Sequence, residues 1–244
     1  MVVRMEKTTA IRTPSPAGER RRRGIDRYYR RISKLYGLHE GWFEKALREK
    51  ALDFLSPVEG ENILEIGCGT GLALRDIARR VGPHGACHGL DISFEMLIRA
   101  RTVCRDVLGS GFSLVRSDAA RLPYGEGVFD AVCVSGVLEL YDDPERIEIL
   151  GEVRRVLKPD SGRLVLATMA DDGRASGVLR FYEWVRRVLP GIVPCRSVEA
   201  ERLAAGAGLA VGRRDRIRLR GLVPIQILFL RPAGLDGNAA RGRA

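Results

Sequence analysis

The chain has 244 residues and a net charge of +10, with 45% hydrophobic and 30% charged residues. This is the composition of a globular protein, so it excludes a chain that is disordered throughout. The length suits one domain of roughly 200 residues with short appendages. The five cysteines are odd in number and lack metal-ligand spacing. We therefore predict no disulfide framework and no metal site, and we expect a reducing, cytoplasmic location.

Positive charge is concentrated at the two ends of the chain. Residues 1–50 carry a net charge of +8 and residues 173–244 carry +9, whereas residues 51–172 carry −7. A basic surface attracts nucleic acid, anionic lipid headgroups or an anionic substrate. Arginine outnumbers lysine 36 to 5, so compositional bias is the simpler alternative explanation.

A basic tail and two helices are the first elements predicted in chain order. Residues 1–24 contain the run Arg20–Arg23 and little apolar content, which predicts a disordered tail. Apolar residues then recur at steps of three and four, which predicts one helix over 25–36 and a second over 42–55. We find no apolar run typical of a secretory signal, and none near the roughly 18 residues that a membrane-spanning helix needs.

From residue 62 onward, short apolar strands alternate with helices. The strands are predicted at 62–66, 85–91, 112–116, 128–135 and 162–168, and the helices between them at 72–81, 94–104 and 144–157. This alternation predicts an α/β fold with a parallel sheet and right-handed crossovers. Two further helices are predicted at 178–188 and 198–207, followed by a hairpin of strands at 209–218 and 222–230.

A glycine-rich loop, EIGCGTG, follows the first predicted strand at residues 65–71. Gly67, Gly69 and Gly71 permit a tight turn and a close approach of the backbone to a ligand. The next helix points its N-terminus at that ligand. The spacing is GxGxG, whereas dinucleotide folds prefer GxGxxG, which disfavours a nicotinamide-linked oxidoreductase.

Carboxylates follow the next two predicted strands. Asp91 ends the second strand, 20 residues after the glycine loop, where a carboxylate accepts hydrogen bonds from ribose hydroxyls. The alternative is a helix N-cap, a role that Ser93 can fill instead. Asp118 and Ala119 follow the third strand, where a carboxylate and a backbone N–H can bind the edge of an adenine. The ends of three parallel strands thus converge on one ligand crevice.

These motifs resemble those of class I S-adenosylmethionine-dependent methyltransferases, above all the ubiquinone/menaquinone-biosynthesis C-methyltransferase-like branch. The resemblance spans about residues 25–232 and rests on EIGCGTG (65–71), GLDIS (89–93), SDAARLPYGEGVFDAV (117–132) and EVRRVLKPDSGRLVLA (152–167). It implies a Rossmann-like methyltransferase fold with a seven-stranded, mostly parallel sheet. The implied segments are a cap of N-terminal helices (25–57), a helical lid insertion (170–196) and a flexible C-terminal tail (233–244).

The resemblance also implies a cofactor, S-adenosylmethionine, with S-adenosylhomocysteine as the product. The residues expected to bind the cofactor are Glu65, Gly67, Cys68, Gly69, Gly71, Asp91, Ile92, Met96, Asp118, Ala119 and Ser135. The glycine loop would surround the methionine part, Asp91 would hold the ribose, and Ser135 would face the sulfonium, with a turn cap as its alternative role. Ile92 and Met96 would pack on the adenine ring.

The acceptor side of the site is less closely defined by the sequence. His39, between the two N-terminal helices, is a candidate catalytic base, with loop packing as the alternative. The candidate walls of the substrate pocket are Tyr36, Tyr141, Tyr182 and Trp184. Relatives on this branch end in a stretch like WGLPVEIVLA, whereas this chain has RGLVPIQILFL at 220–230, so the substrate of the branch does not carry over directly. The SGVLEL segment lacks the Asn-Pro-Pro-Tyr-type motif of amino-directed DNA or protein-glutamine methylation.

The expected function is methyl transfer from S-adenosylmethionine to a small, lipophilic or aromatic, quinol-like acceptor by in-line displacement. The enzyme would be cytoplasmic, with a peripheral contact between its basic ends and an anionic membrane surface. Two alternatives stay open: an RNA methyltransferase that uses the basic ends, and a non-catalytic cofactor-binding domain. The sequence leaves the oligomeric state open, a homodimer included.

Overall fold

The computed structural model describes Gly24 and residues 42–107, 109, 111–170, 197–219 and 223–234. The helices are α1 (Trp42–Leu55), α2 (Leu72–Val81), α3 (Phe94–Val103), α4 (Asp143–Val156) and α5 (Ala200–Gly206), with 3-10 turns at Arg105–Val107 and Leu138–Leu140. The strands are β1 (Asn62–Ile66), β2 (Ala86–Asp91), β3 (Phe112–Arg116), β4 (Ala131–Ser135), β5 (Arg163–Met169), β6 (Leu209–Leu219) and β7 (Val223–Pro232). The predicted helix over 25–36, nearly all of the predicted lid and most of both tails lie outside the described residues.

The seven strands form one sheet in the order β3-β2-β1-β4-β5-β7-β6. The pairings among β1 to β5 are parallel, and β7 is antiparallel to both of its neighbours. The prediction of an α/β fold with a seven-stranded, mostly parallel sheet is therefore confirmed. β2 and β4 lie on opposite sides of β1, and an open α/β sheet binds its ligand where the strand order reverses in this way.

Continuous apolar sequences form the middle of the sheet. The first four residues of β4 and the last six of β5 are buried, because helices cover both faces of the sheet. β3 lies at the sheet edge, and four of its five residues are only partly buried. Within the described ranges, no helix combines the length and the apolar character needed to span a bilayer.

Pairing with a neighbouring strand determines where β4 begins. The strand predicted at 128–135 begins only at Ala131, because the ladder with β1 starts at the pair Ile63 and Ala131. Phe129 makes an isolated bridge to Leu157 instead. The predicted C-terminal hairpin is confirmed as β6 and β7, with a bulge just after Val211.

Charged contacts fix α1 against the far end of the sheet. The guanidinium of Arg213 lies 4.1 Å from the ring centroid of Phe54, a cation–π contact. The Nζ of Lys50 lies 2.8 Å from Asp215 Oδ2. In both of these contacts the partner of α1 is a residue of β6. They help to hold the helix in the position where it brings Arg48 to the site described next.

Candidate cofactor site

A cavity of about 280 Å³ lies at the carboxyl ends of β1, β2 and β4. Its walls are these strand ends, the glycine loop, α1 and the turn after β4. The volume is close to the roughly 300 Å³ at which small-molecule sites begin. The predicted cofactor residues that line it are Glu65, Gly67, Cys68, Gly69, Asp91, Ile92, Met96, Ala119 and Ser135.

The glycine loop is a sharp turn that packs against the rest of the site. All three of its glycines have positive φ, between 51° and 85°. The N–H groups of Gly67 and Cys68 both donate to Leu90 O, at 2.7 and 3.0 Å. A Cβ on Gly67 would lie 2.3 Å from Val137 Cγ2, whereas one on Gly69 would meet nothing closer than 4.0 Å. Gly67 is therefore required for packing, and Gly69 leaves open space beside the backbone.

Asp91 is the carboxylate that holds this loop in shape. It is only 8% exposed; its Oδ2 accepts from Gly69 N at 2.9 Å and its Oδ1 from Ser93 N at 2.8 Å. Ser93, not Asp91, caps α3, because Ser93 Oγ accepts from Met96 N. A carboxylate offers about four acceptor sites, so Asp91 can hold the loop and accept from a ribose hydroxyl at the same time.

Glu65 is a buried acid whose second oxygen has no hydrogen-bond partner. The side chain is 5% exposed, and Oε2 has no partner among the described residues. Burial, together with the nearby carboxylates of Asp91 and Asp76, raises the pKa of the Glu65 carboxyl to about 8, against the opposing charge of Arg48. An orphaned carboxyl in the cavity wall fits a cationic ligand, and S-adenosylmethionine carries both an ammonium and a sulfonium group.

Arg48 is a charged residue of this cavity that sequence reasoning missed. It is the one basic side chain among the described lining residues, and its Nε donates to Asp76 Oδ2 at 3.0 Å. It also interacts electrostatically with Glu65. One signal in the sequence could have identified it. Arg48 lies three and four residues before Ala51 and Leu52, which places it on the apolar face of the predicted helix.

The predicted adenine end contains a contact that the sequence did not suggest. Asp118 Oδ1 accepts from Ala120 N at 3.1 Å and lies 3.4 Å from the hydroxyl of Tyr141. Tyr141 is buried and lines the cavity. The tyrosine predicted as a substrate wall therefore also touches the carboxylate predicted to bind adenine.

The other predicted site residues are not among the described residues that line the cavity. His39, Tyr36, Tyr182 and Trp184 lie outside the described residues. Gly71 ends the loop but packs against α3 instead of lining the cavity. In the part of the chain that the structure describes, no histidine lines the cavity and no cluster of three or more His, Cys, Asp or Glu side chains suits a metal ion.

Comparison with known proteins gives a match to a methyltransferase domain and a similar fold. Residues 63–160 match a family model described as a methyltransferase domain. A solved structure, magnesium protoporphyrin IX methyltransferase from Synechocystis PCC 6803 with bound S-adenosylhomocysteine, matches with a TM-score of 0.60 and 19% identity, over 88% of this chain and 94% of that one. Residues 63–160 are therefore similar to a methyltransferase domain, and the likeness to the solved structure shows a shared fold.

The curated relatives that the chain resembles are named as methyltransferases. Demethylmenaquinone methyltransferase of Lactococcus lactis subsp. lactis is 33% identical over 127 residues, 52% of this chain and 47% of the relative. Nocamycin O-methyltransferase of Saccharothrix syringae is 33% identical over 137 residues, 56% of this chain and 48% of the relative. The chain spans about half the length of these relatives, and the two act on different acceptors according to their names.

Proposed function

We propose that this protein transfers the methyl group of S-adenosylmethionine to a small lipophilic acceptor with an electron-rich aromatic ring, such as a quinol. One observation carries the proposal. A single cavity joins the cofactor motifs at the strand ends to an apolar wall built by α1 and the turn after β4, with Leu47, Leu52, Val137 and Leu140 in that wall. When bound, the cofactor supplies a methyl group activated by its sulfonium.

Three charged side chains are proposed to hold the cofactor. Asp91 accepts from the ribose hydroxyls, since a charged acceptor makes the stronger hydrogen bond. Glu65 faces the cationic groups of the methionine part, which stabilise its ionised form. Arg48 pairs with the methionine carboxylate while keeping its contact with Asp76. Together these groups fix the cofactor at both ends of its ribose–methionine segment.

Alignment and exclusion of water are the main tasks left to the chain. The positive charge of a sulfonium disperses during an in-line displacement, so the reacting atoms need orientation more than a fixed counter-charge. The apolar side chains of α1 and of the turn after β4 exclude water from the acceptor. A phenolic ring becomes nucleophilic once its own hydroxyl loses a proton to solvent, so the chain need not provide a base within the cavity.

A defined acceptor tests this proposal. The full chain is incubated with S-adenosylmethionine and a soluble naphthoquinol that lacks a substituent at one ring carbon beside the hydroxyl. We expect a product that is heavier by one methylene group, as measured by mass spectrometry, together with S-adenosylhomocysteine. Failure to methylate naphthoquinols and other phenols, with RNA methylated in a parallel reaction, would contradict the proposal.

Methylation of RNA is a second candidate, favoured by one observation on β6. This edge strand carries exposed arginines at positions 213, 214, 216 and 218. Among these, Arg214 pairs with Glu201 and Arg213 lies on Phe54. Charged residues also keep edge strands from pairing with other chains, which supplies an alternative reason for this composition. RNA affinity that falls steeply with salt would favour the candidate.

Replacing Arg48 with methionine should weaken binding of S-adenosylmethionine by about threefold to tenfold, because a charged hydrogen-bond partner of the cofactor is lost. Methionine keeps the apolar stem that packs against the neighbouring helix. Lys45→Met is the matched control, since Lys45 lies on the same helix with its side chain 58% exposed. Isothermal titration calorimetry measures both. Equal affinities for the two variants would remove Arg48 from the cofactor site.

Binding of S-adenosylmethionine at pH 7 should release a proton. The pKa of Glu65 is about 8, so the free site is largely protonated at pH 7, and cationic groups beside it favour the ionised form. Affinity should therefore rise with pH up to about 8. Calorimetry in two buffers of different ionisation enthalpy measures the released proton. The release should vanish in Glu65→Gln and persist in the control Glu148→Gln, an exposed site on α4. Release that persists in Glu65→Gln would contradict the assignment.

A further inference from the structure

Glu139 is a buried carboxyl group that the proposed reaction does not use. It lies in the 3-10 turn after β4 and is 4% exposed. Its Oε1 accepts from the backbone N–H of Met169 at 2.7 Å. Its Oε2 is buried and has no hydrogen-bond partner among the described residues. The hydrogen bond from Met169 therefore ties this side chain to a different strand.

Met169 is a junction between three segments of the backbone. It ends β5, and its carbonyl accepts from Val198 N at 3.0 Å. The next residue, Ala170, pairs with Val198 and donates its N–H to Pro224 O at 2.9 Å. The buried amide of Gln226 donates to Val198 O at 2.8 Å. Glu139 thus ties the turn after β4 to the point where β5, β7 and the segment before α5 meet.

The same turn forms a wall of the cavity. Gly136, Val137, Leu140 and Tyr141, which flank Glu139 in sequence, all line it. The wall also touches the glycine loop, because the space beside Gly67 is filled by Val137. A change in the position of the turn would therefore change the shape of the cavity directly.

A carboxyl group at this position is unfavourable for stability alone. Burial raises the pKa of Glu139 to about 7, even though the N–H groups of Glu139 and Met169 and the charge of Arg146 act to lower it. Arg146 is the charged side chain that acts on it from α4, but its Nε donates to Leu138 O and its Nη1 to Asp143. Residues 164–169 of β5 and 223–230 of β7 contain no ionisable side chain. A neutral side chain would fill the position at lower cost, so a functional reason for the acid is favoured.

We propose that Glu139 is a positioning residue, whose carboxylate holds the turn after β4 against the end of β5 and so sets the cavity wall that faces the methyl acceptor. The role of that wall in acceptor binding rests on the proposed function, whereas the tie to Met169 does not. An ionised carboxylate accepts a stronger hydrogen bond than the neutral acid. Protonation of Glu139 as the pH falls below about 7 therefore loosens the turn.

The backbone amide of Met169 tests the tie without any acceptor. In the ¹⁵N-labelled full chain, the amide resonance of Met169 should titrate with a midpoint near pH 7, because its acceptor changes charge there. The titration should be absent in Glu139→Gln, which keeps an oxygen acceptor, and unchanged in Glu148→Gln, an exposed control on α4. The proposal is overturned if the Met169 amide resonance does not shift with pH in the native chain, or if it titrates equally in Glu139→Gln.

Activity then tests the consequence for the acceptor. Glu139→Gln should keep most of the methyl transfer to the naphthoquinol but lose the fall in kcat/KM below about pH 7. Glu139→Leu should raise the KM for the acceptor by about tenfold, since one wall of the acceptor region is displaced. A pH profile that is identical in the native chain and Glu139→Gln overturns the proposal. A native chain that methylates RNA and no phenol overturns the proposed function, while the amide titration still tests Glu139 alone.

Discussion

Replacing Asp91 with alanine should weaken the binding of S-adenosylmethionine by about tenfold or more, as loss of a charge-assisted hydrogen bond predicts. The substitution removes the proposed acceptor for the ribose hydroxyls. It also removes the acceptor of the Gly69 and Ser93 N–H groups, so the glycine loop loses a contact that shapes it. Isothermal titration calorimetry on the full chain measures the change.

Two further variants separate these contributions. Asp91→Asn keeps the size of the side chain and one neutral oxygen, so its affinity should lie between those of the native chain and Asp91→Ala. Asp160→Ala makes the same change of charge at an exposed residue in the turn before β5. This turn lies at the amino end of the strand, away from the cavity, so the substitution should have no effect. Native affinity in Asp91→Ala would remove the residue from the cofactor site.

Replacing Gly71 with alanine should destabilise the fold by about 2–5 kcal/mol. Its φ of 85° costs an alanine about 1–2 kcal/mol. The added Cβ would lie 2.8 Å from Ala100 Cα and 3.1 Å from Cys104 Sγ, so α2 and α3 would have to move apart. Overpacking of this kind typically adds about 1–3 kcal/mol. For a domain of this size we expect the midpoint of thermal unfolding to fall by about 10 °C.

Gly60→Ala is the matched control for this prediction. Gly60 has nearly the same φ, 84°, but a Cβ there would meet no atom within 4 Å. The backbone cost is the same in both variants, and only Gly71 adds the contact with α3. Equal losses of stability in the two variants would contradict the packing role of Gly71.

Local patterns predicted most of the fold. The bounds of α1, β1, α2 and β3 agree with the residues expected from apolar periodicity, because each of these elements is set by its own sequence and its burial. The strand expected at 128–135 was too long, since its start depends on where the neighbouring β1 begins. The glycine loop and Asp91 were recognisable because their roles depend on short, fixed spacings.

Residues whose roles depend on contacts between distant elements were not recognised. In the sequence, Arg48 looks like any other helical arginine. It contacts Asp76, which is 28 residues further along the chain, only because α1 packs over the strand ends in the folded structure. Glu139 was considered only as part of the SGVLEL segment, and its contact with Met169 spans 30 residues. The link between Tyr141 and Asp118 likewise joins two loops that approach only in the folded sheet.

Methyl-labelled S-adenosylmethionine, incubated with the full chain and a host-cell extract, tests the central claim most directly. The products are separated into organic-soluble, nucleic-acid and protein fractions, with Asp91→Ala as the control for cofactor-dependent transfer. A small lipophilic acceptor predicts label in the organic-soluble fraction, strongly reduced with Asp91→Ala. Label confined to RNA would contradict that claim and would make the arginine-rich β6 the first surface to test for substrate binding.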